Sequence, residues 1–124
     1  MSKTLIAGAS TNPGRYAYLA ADLMNNKGIP FELLSIKKGN IFGHDIYDIR
    51  QKPAIEGIDT ITFYMSAAHQ KPYYDYFISL APKRLIFNPG AENAEFAEKA
   101  KKTGIKVDYA CTLVLIQTGQ FQIY

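Results

Sequence analysis

The sequence predicts a three-layer α/β domain built on a five-stranded parallel sheet. Short apolar runs recur along the chain, and segments with helical spacing of apolar residues separate them. Chains that alternate in this way cover both faces of a parallel sheet with helices, because crossovers between parallel strands are right-handed. The 124 residues, of which 48% are hydrophobic, suffice for one domain, 1–124, with a sizeable core.

The chain opens with a strand, a turn and a helix. Residues 4–7 form an apolar run that ends at Gly8, as expected of a strand buried on both faces. Ser10 or Asn12 is expected to cap the next helix, and Pro13 suits its first turn, where the missing N–H needs no partner. The buried face of that helix is predicted at Tyr16, Leu19, Ala20, Leu23 and Met24.

Four more strands are predicted, at residues 31–36, 60–65, 84–88 and 105–109. An aromatic helix should follow the third strand, an amphipathic helix at 92–102 the fourth, and a short helix at 112–116 the fifth. The expected strand order is 3-2-1-4-5, which is Rossmann-like. In such sheets ligands bind beyond the carboxyl ends of the strands, where the order reverses, and that point lies at the end of the first strand.

The turn after the first strand has the properties of a phosphate site. Gly8 and Ala9 let the backbone approach a ligand, Ser10 and Asn12 offer side-chain hydrogen bonds, and Arg15 suits bidentate phosphate contact. The spacing matches neither G-x-G-x-x-G nor a Walker loop. Each residue alone is compatible with a simple turn and a solvated arginine. Taken together at this place in the fold, they favour a nucleotide-type cofactor.

The end of the second strand discriminates between cofactors. An NAD site usually has an acidic residue there to accept from the ribose hydroxyls, whereas this chain has Ser35, Ile36, Lys37 and Lys38. Two ammonium groups suit an additional ribose phosphate, which coenzyme A carries on its 3′ position and NADP on its 2′ position. A solvated lysine pair in a loop is the alternative.

The opening of the chain resembles the small CoA-binding domain proteins, in Gly8-Ala9-Ser10-Thr11-Asn12-Pro13 followed by Arg15 and Tyr18. These are stand-alone relatives of the Rossmann-like domain that binds coenzyme A in succinyl-CoA synthetase. Later positions agree with the same pattern, namely Gly43, Tyr47, Pro89-Gly90 and Cys111. The resemblance spans nearly the whole chain.

The resemblance implies a ligand, coenzyme A or an acyl-CoA, and no particular reaction. Phosphate contacts would fall to Gly8, Ala9, Ser10, Asn12 and Arg15. Lys37 and Lys38 would lie near the adenosine, and Pro89 and Gly90 would line the pantetheine side. This chain departs from the family where Lys37-Lys38 replaces the usual Asn-Pro, and in the aromatic-rich stretch at 64–76.

That aromatic stretch has two possible uses. Core packing is the first expectation at this spacing, and a face for a homodimer is the second. A tyrosine of the stretch can also stack on adenine, and Tyr64, at the end of the third strand, is assigned to the cofactor site. The aromatic residues are Tyr64, Tyr73, Tyr74, Tyr76 and Phe77.

Composition excludes several classes of function. The net charge of +3 is not concentrated in a basic stripe, so nucleic acid is not an expected partner. A single cysteine, Cys111, cannot form an internal disulfide, and no apolar stretch is long enough for a membrane span, so the cytoplasm is expected. His44 and His69 have no metal-ligand spacing, and no metal site is predicted.

Catalytic residues cannot be assigned from the sequence, although His69, after the third strand, is the better acid-base candidate. The lead hypothesis is a CoA-binding module without its own catalytic machinery. An NADP-linked oxidoreductase is one alternative, but the chain lacks a substrate domain and a Tyr-x-x-x-Lys pair. An interaction or regulatory protein that binds no ligand is the other.

Overall fold

The computed structural model describes residues 2–121. The strands in this range are β1 Lys3–Ala7, β2 Phe31–Ser35, β3 Asn40–Ile41, β4 His44–Asp48, β5 Ile58–Phe63, β6 Arg84–Phe87 and β7 Lys106–Tyr109. The α-helices are α1 Tyr16–Lys27, α2 Ala67–Gln70, α3 Tyr74–Ser79, α4 Ala94–Lys102 and α5 Thr112–Gln117. Single 3-10 turns occupy Ile49–Gln51 and Lys71–Tyr73.

The strands form one sheet in the order β3-β4-β2-β1-β5-β6-β7. All neighbours pair in parallel except β3 and β4, which form an antiparallel hairpin. The predicted α/β, Rossmann-like class is therefore confirmed. The predicted five strands and the order 3-2-1-4-5 are wrong, because the sheet has seven strands and β5, the third predicted strand, pairs with β1 rather than lying outside β2.

The error in strand order comes from β4, a strand that was not predicted. It occupies the position outside β2 that was predicted for residues 60–65. Ile46, Tyr47 and Asp48 pair with Leu33, Leu34 and Ser35 of β2. This strand was predicted as part of a loop because it is short, polar and only partly buried, without the apolar run that marks the central strands. β2 and β4 lie on one side of β1, and the chain then crosses to form β5 on the other side. The strand order therefore reverses beside β1.

Each face of the sheet carries its own hydrophobic core. Helices α1 and α5 pack on one face, with Ile6, Leu33 and Ile86 beneath them. Helices α3 and α4 cover the other, where the Phe63 ring lies 5.0 Å from Phe77 and 5.7 Å from Phe96, centroid to centroid. Residues 73–77 of the aromatic stretch thus pack into this second core, as their spacing predicted, whereas Tyr64 packs against the first.

Helix α1 begins later than predicted. Its N-cap is Arg15, not Ser10 or Asn12, because the Asn12 side chain accepts from the Gly14 N–H (2.9 Å) and closes a turn before the helix. Pro13 belongs to that turn. The buried face of α1 also differs from the predicted one. Small side chains face the sheet, and Tyr16 is 69% exposed. Leu19 is exposed too, and the buried positions are Ala17, Ala20, Ala21 and Met24.

We predict that Tyr76 gives the fold an alkaline limit. Its side chain is 7% exposed, its hydroxyl donates to the Pro53 carbonyl (2.6 Å), and burial raises its pKa to about 12. Because the folded pKa exceeds the unfolded one, this stabilisation is complete below pH 10 and is lost as the pH rises towards 12. Between pH 8 and 11.5, urea unfolding should show a smaller loss of stability in Tyr76→Phe than in the wild type. Tyr109→Phe, at a half-exposed position, is the control and should lose as much as the wild type.

Candidate functional site

The floor of the candidate site lies where β1 ends at Gly8. Gly8 has φ +97°, and a Cβ there would stand 2.9 Å from the Tyr64 carbonyl carbon and 3.0 Å from the Met65 backbone nitrogen. Only glycine fits this close approach without a backbone shift. The N–H groups of Gly8 and Ala9 both donate to the Leu34 carbonyl of β2, at 2.9 and 3.1 Å. The turn is therefore fixed against the ends of two neighbouring strands.

A cavity of about 520 Å³ opens above this floor, at the carboxyl ends of β1, β2, β5 and β6. Nine of the eleven residues predicted for the cofactor site line it: Gly8, Ala9, Ser10, Arg15, Ser35, Lys37, Tyr64, Pro89 and Gly90. They come from four separate segments of the chain. We call this space the central cavity.

Two predicted residues are not part of the lining. Asn12 shapes the turn, since its N–H donates to the Ser10 hydroxyl (3.1 Å) and its side chain accepts from Gly14. Lys38 is exposed, one residue beyond Lys37. Ser10 and Arg15, not Asn12, are the side chains of this turn that face the cavity.

The charges of the central cavity favour an anion. Arg15 and Lys37 bring two cations, and among the described residues no aspartate or glutamate lines the space. Helix α1 also begins here with Tyr16 and Ala17, and its N-cap supplies no side-chain acceptor for the first N–H groups. Since the N–H groups of Gly8 and Ala9 are used within the sheet, an anion would meet the helix start, the Ser10 hydroxyl and the two cations.

Two smaller cavities adjoin the central one and share part of its lining. The first, about 270 Å³, shares Gly8, Ser35, Met65 and His69; its other walls are Ile36, Ile49, Ala68, Pro72 and Tyr73. We call it the β2 cavity. The second, about 200 Å³, is the Cys111 cavity, and its lining is Tyr16, Tyr64, Asn88, Pro89, Cys111 and Leu113. Together the three form one cleft along the carboxyl edge of the sheet.

A buried amide holds two walls of the cleft together. Gln70 has no exposed surface, and its Nε2 donates to the Met65 carbonyl (2.8 Å) and to the Ala91 carbonyl (2.9 Å). Its Oε1 accepts from Asn93 Nδ2 (2.8 Å), and Asn93 Oδ1 in turn accepts from the Phe96 N–H at the start of α4. The loops after β5 and β6 are thus joined through side chains that water does not reach.

The buried Asn88 amide joins the ends of β5 and β6 to the start of α5. Its Nδ2 donates to Thr62 Oγ1 (2.7 Å) and to the Phe63 carbonyl (2.8 Å), and its Oδ1 accepts from the Thr112 N–H (2.8 Å). The Tyr64 ring lies between the central and Cys111 cavities as a wall of both. The Tyr64 hydroxyl is buried, and burial raises the pKa of Tyr64 to about 12.

The two histidines are in different places. His69 lines the central and β2 cavities, and its Nδ1 lies 3.0 Å from Ser66 Oγ, one turn away. His44 lies outside the cleft, where it stacks on Phe31 (centroids 4.3 Å apart) near Glu32. Over residues 2–121, no three His, Cys, Asp or Glu side chains come together as a metal site, and no helix is long and apolar enough to cross a membrane.

Residues 2–117 match the family described as CoA binding domain. The chain belongs to the CoA-binding domain family. A crystal structure of an uncharacterized protein is 45% identical to this CoA-binding domain, with a TM-score of 0.92 and 98% of both chains covered. Among curated proteins, no sequence matches the chain.

More distant structures share the fold of this CoA-binding domain. A protein from Thermus thermophilus is 18% identical, with a TM-score of 0.84 over 94% of this chain and 89% of that one. A conserved hypothetical protein from Pyrococcus furiosus is 21% identical, with a TM-score of 0.77 over 94% of this chain and 99% of that one. The arrangement of strands is therefore retained where most of the sequence differs.

Sequence reasoning missed several lining residues of the CoA-binding domain. Tyr16 was predicted on the buried face of a helix and Ala17 was not singled out, and both line the cleft because α1 starts at Tyr16. Met65 and Ser66 follow β5 directly, and the rule that ligands bind beyond the carboxyl ends of strands pointed to them. Ala91 gave no such signal, because its place depends on the buried bond from Gln70.

We predict that Gly8→Ala lowers the free energy of unfolding by about 2–4 kcal/mol, since it combines a left-handed backbone with a backbone clash. Gly90→Ala is the matched control, because Gly90 has φ +93° and, within the described part of the chain, no residue beyond its two chain neighbours comes within 4 Å of the added Cβ. Gly90→Ala should lower the free energy of unfolding by about 1–2 kcal/mol, because only the left-handed backbone conformation opposes the side chain there. Urea unfolding of both variants measures the difference, and equal losses would show that the approach of Gly8 to Tyr64 is not constraining.

Proposed function

We propose that this chain binds coenzyme A in the cleft along the carboxyl edge of its sheet. The observation that carries the proposal is the central cavity, which offers a helix start, the Ser10 hydroxyl, Arg15 and Lys37, with no carboxylate among the described residues of its lining. This combination suits a pyrophosphate, because backbone donors, a helix dipole and cations act on the same anion. Membership of the CoA-binding domain family supports coenzyme A among pyrophosphate ligands.

The β2 cavity suits the adenine ring. Its walls include Ile36, Ile49, Pro72 and Tyr73, so a flat aromatic group would find apolar surface on both sides. It adjoins the central cavity at Gly8 and Ser35, next to the proposed phosphate site. Adenine in this position places the ribose at the end of β2.

The residues after β2 then meet the ribose phosphate. Lys37 lines the central cavity and Lys38 follows it, where an NAD site would have a carboxylate. The Lys37 N–H donates to the Ser35 hydroxyl (3.1 Å), which fixes the backbone at this turn. Two ammonium groups favour the 3′-phosphate of coenzyme A, or the 2′-phosphate of NADP, over an unphosphorylated ribose.

The length of the cleft suits an extended ligand. The carboxyl ends of β2 and β7 are four inter-strand spacings apart, roughly 19 Å. Coenzyme A carries adenine, phosphates and pantetheine in that order. With adenine in the β2 cavity, the pantetheine arm runs past Pro89 and Gly90 towards Cys111. We assign a binding function and no reaction to this cleft.

Calorimetry with coenzyme A, 3′-dephospho-CoA, NADP, NAD and ATP tests the proposal. Coenzyme A should bind most tightly, and NAD and ATP should bind weakly or not at all. Tighter binding of NADP than of coenzyme A would replace the proposal by that of an NADP site. Binding of none of these ligands would leave an interaction or regulatory role.

We predict that Arg15→Ala weakens coenzyme A binding about 10- to 100-fold, the usual cost of a hydrogen bond to a charged group. Lys27→Ala removes one positive charge from the other end of α1, at an exposed position outside the cleft. It is the matched control and should change the affinity less than twofold. Equal losses in both variants would mean that Arg15 acts only through overall charge.

We also predict that Lys37→Ala/Lys38→Ala weakens coenzyme A binding about tenfold more than it weakens 3′-dephospho-CoA binding. The reason is that the ammonium groups interact with the one phosphate that the second ligand lacks. Calorimetry of the wild type and the double variant with both ligands separates the contribution of the 3′-phosphate from general charge effects. An equal loss of affinity for both ligands would show that the 3′-phosphate does not bind at these lysines.

A further inference from the structure

The Cys111 cavity is a second apolar compartment of the cleft, at the end opposite the β2 cavity. Its volume is about 200 Å³, and its walls come from the start of α1, the ends of β5, β6 and β7, and α5. It shares Tyr16, Tyr64 and Pro89 with the central cavity, so a ligand in one can extend into the other.

Two polar side chains of this cavity, Asn88 and Tyr64, have buried polar atoms and do not offer them to an occupant. Both polar atoms of the Asn88 side-chain amide are used, Nδ2 in bonds to Thr62 and Phe63 and Oδ1 in the bond from the Thr112 N–H. The Tyr64 hydroxyl is buried in the protein, so Tyr64 contributes its ring. With Leu113, Pro89 and the half-buried Cys111, the exposed lining is mainly carbon and sulfur.

We infer that this cavity holds a short apolar acyl group, and that the natural ligand is an acyl thioester of coenzyme A rather than free coenzyme A. The inference rests on the proposed function, which directs the pantetheine thiol past Pro89 to this end of the cleft. A free thiol would leave the apolar walls in contact with water, whereas an acyl chain covers them.

The volume sets the size of the acyl group. An apolar protein cavity of about 150 Å³ takes up a benzene molecule, so a space of about 200 Å³ suits an acyl chain of roughly four to eight carbons. Each methylene buried should raise the affinity about threefold to fourfold. The gain should end near eight carbons, when the cavity is full.

Calorimetry with coenzyme A and its acetyl, butyryl, hexanoyl, octanoyl and palmitoyl thioesters provides the test. We expect hexanoyl-CoA to bind at least tenfold more tightly than coenzyme A. Leu113→Trp fills the cavity and should abolish that gain, so that hexanoyl-CoA and coenzyme A bind to the variant with equal affinity. Val114→Trp, at the next and half-exposed position of α5, is the matched control and should keep the gain.

A second measurement needs no variant. Cys111 is the single cysteine of the chain, so its alkylation by a maleimide reports on this cavity alone. Saturating hexanoyl-CoA should slow the alkylation at least fivefold more than saturating desulfo-CoA, the coenzyme A analogue that lacks the thiol and so does not itself consume the maleimide. Thermal unfolding checks that Leu113→Trp is folded, and the alkylation result decides the question if it is not.

The outcomes separate the two proposals. Tight binding of coenzyme A with no gain from any acyl chain overturns the acyl site and leaves the proposed function intact. A gain that persists in Leu113→Trp, or equal protection of Cys111 by hexanoyl-CoA and desulfo-CoA, places the acyl group elsewhere and also overturns it. Absence of binding by coenzyme A and every thioester overturns the proposed function, and the acyl site falls with it.

Discussion

The close approach of two backbones at Gly8 is the constraint on which the cleft depends. A Cβ at this position would stand 2.9 Å from the Tyr64 carbonyl carbon, so any other residue would force the ends of β1 and β5 apart. The same turn is bound to β2, because the Leu34 carbonyl accepts from both Gly8 and Ala9. Three strand ends therefore meet at one glycine, and the cavities lie above that point. Its φ of +97° is the left-handed conformation that side chains disfavour.

The walls above this floor are held by buried amides rather than by apolar packing alone. Gln70 and Asn93 connect the loops after β5 and β6, and Asn88 connects β5, β6 and α5. All three are nearly inaccessible to water, so breaking one bond would leave an unsatisfied buried group. Such a network favours a cleft whose shape exists before a ligand enters, which lowers the ordering cost of binding.

The parts that sequence predicted are those in which neighbouring residues determine the structure. The apolar run before Gly8 marked β1, and the rule of carboxyl strand ends brought Ser35, Lys37 and Pro89 to one place. β4 was missed because a short, partly buried strand with polar residues lacks an apolar run, and the strand order was wrong for that reason. Gln70 could not be identified in advance, since its partners Ala91 and Asn93 lie more than twenty residues away. Local patterns contain no information on such pairs.

The chemistry of the cleft changes along its length, and that sequence of environments sets the direction of the proposed ligand. The β2 cavity and the Cys111 cavity are both largely apolar, so either could hold adenine on that criterion alone. Among residues 2–121, the β2 end has lysines beside it, Lys37 and Lys38, and no lysine lines the Cys111 cavity. The ribose phosphate lies next to adenine in coenzyme A, so the lysines favour adenine at the β2 end. With the pyrophosphate near Arg15, the pantetheine arm then extends away from the β2 cavity. The asymmetry of charge, rather than the shape of the two apolar cavities, is what directs the thiol towards Cys111.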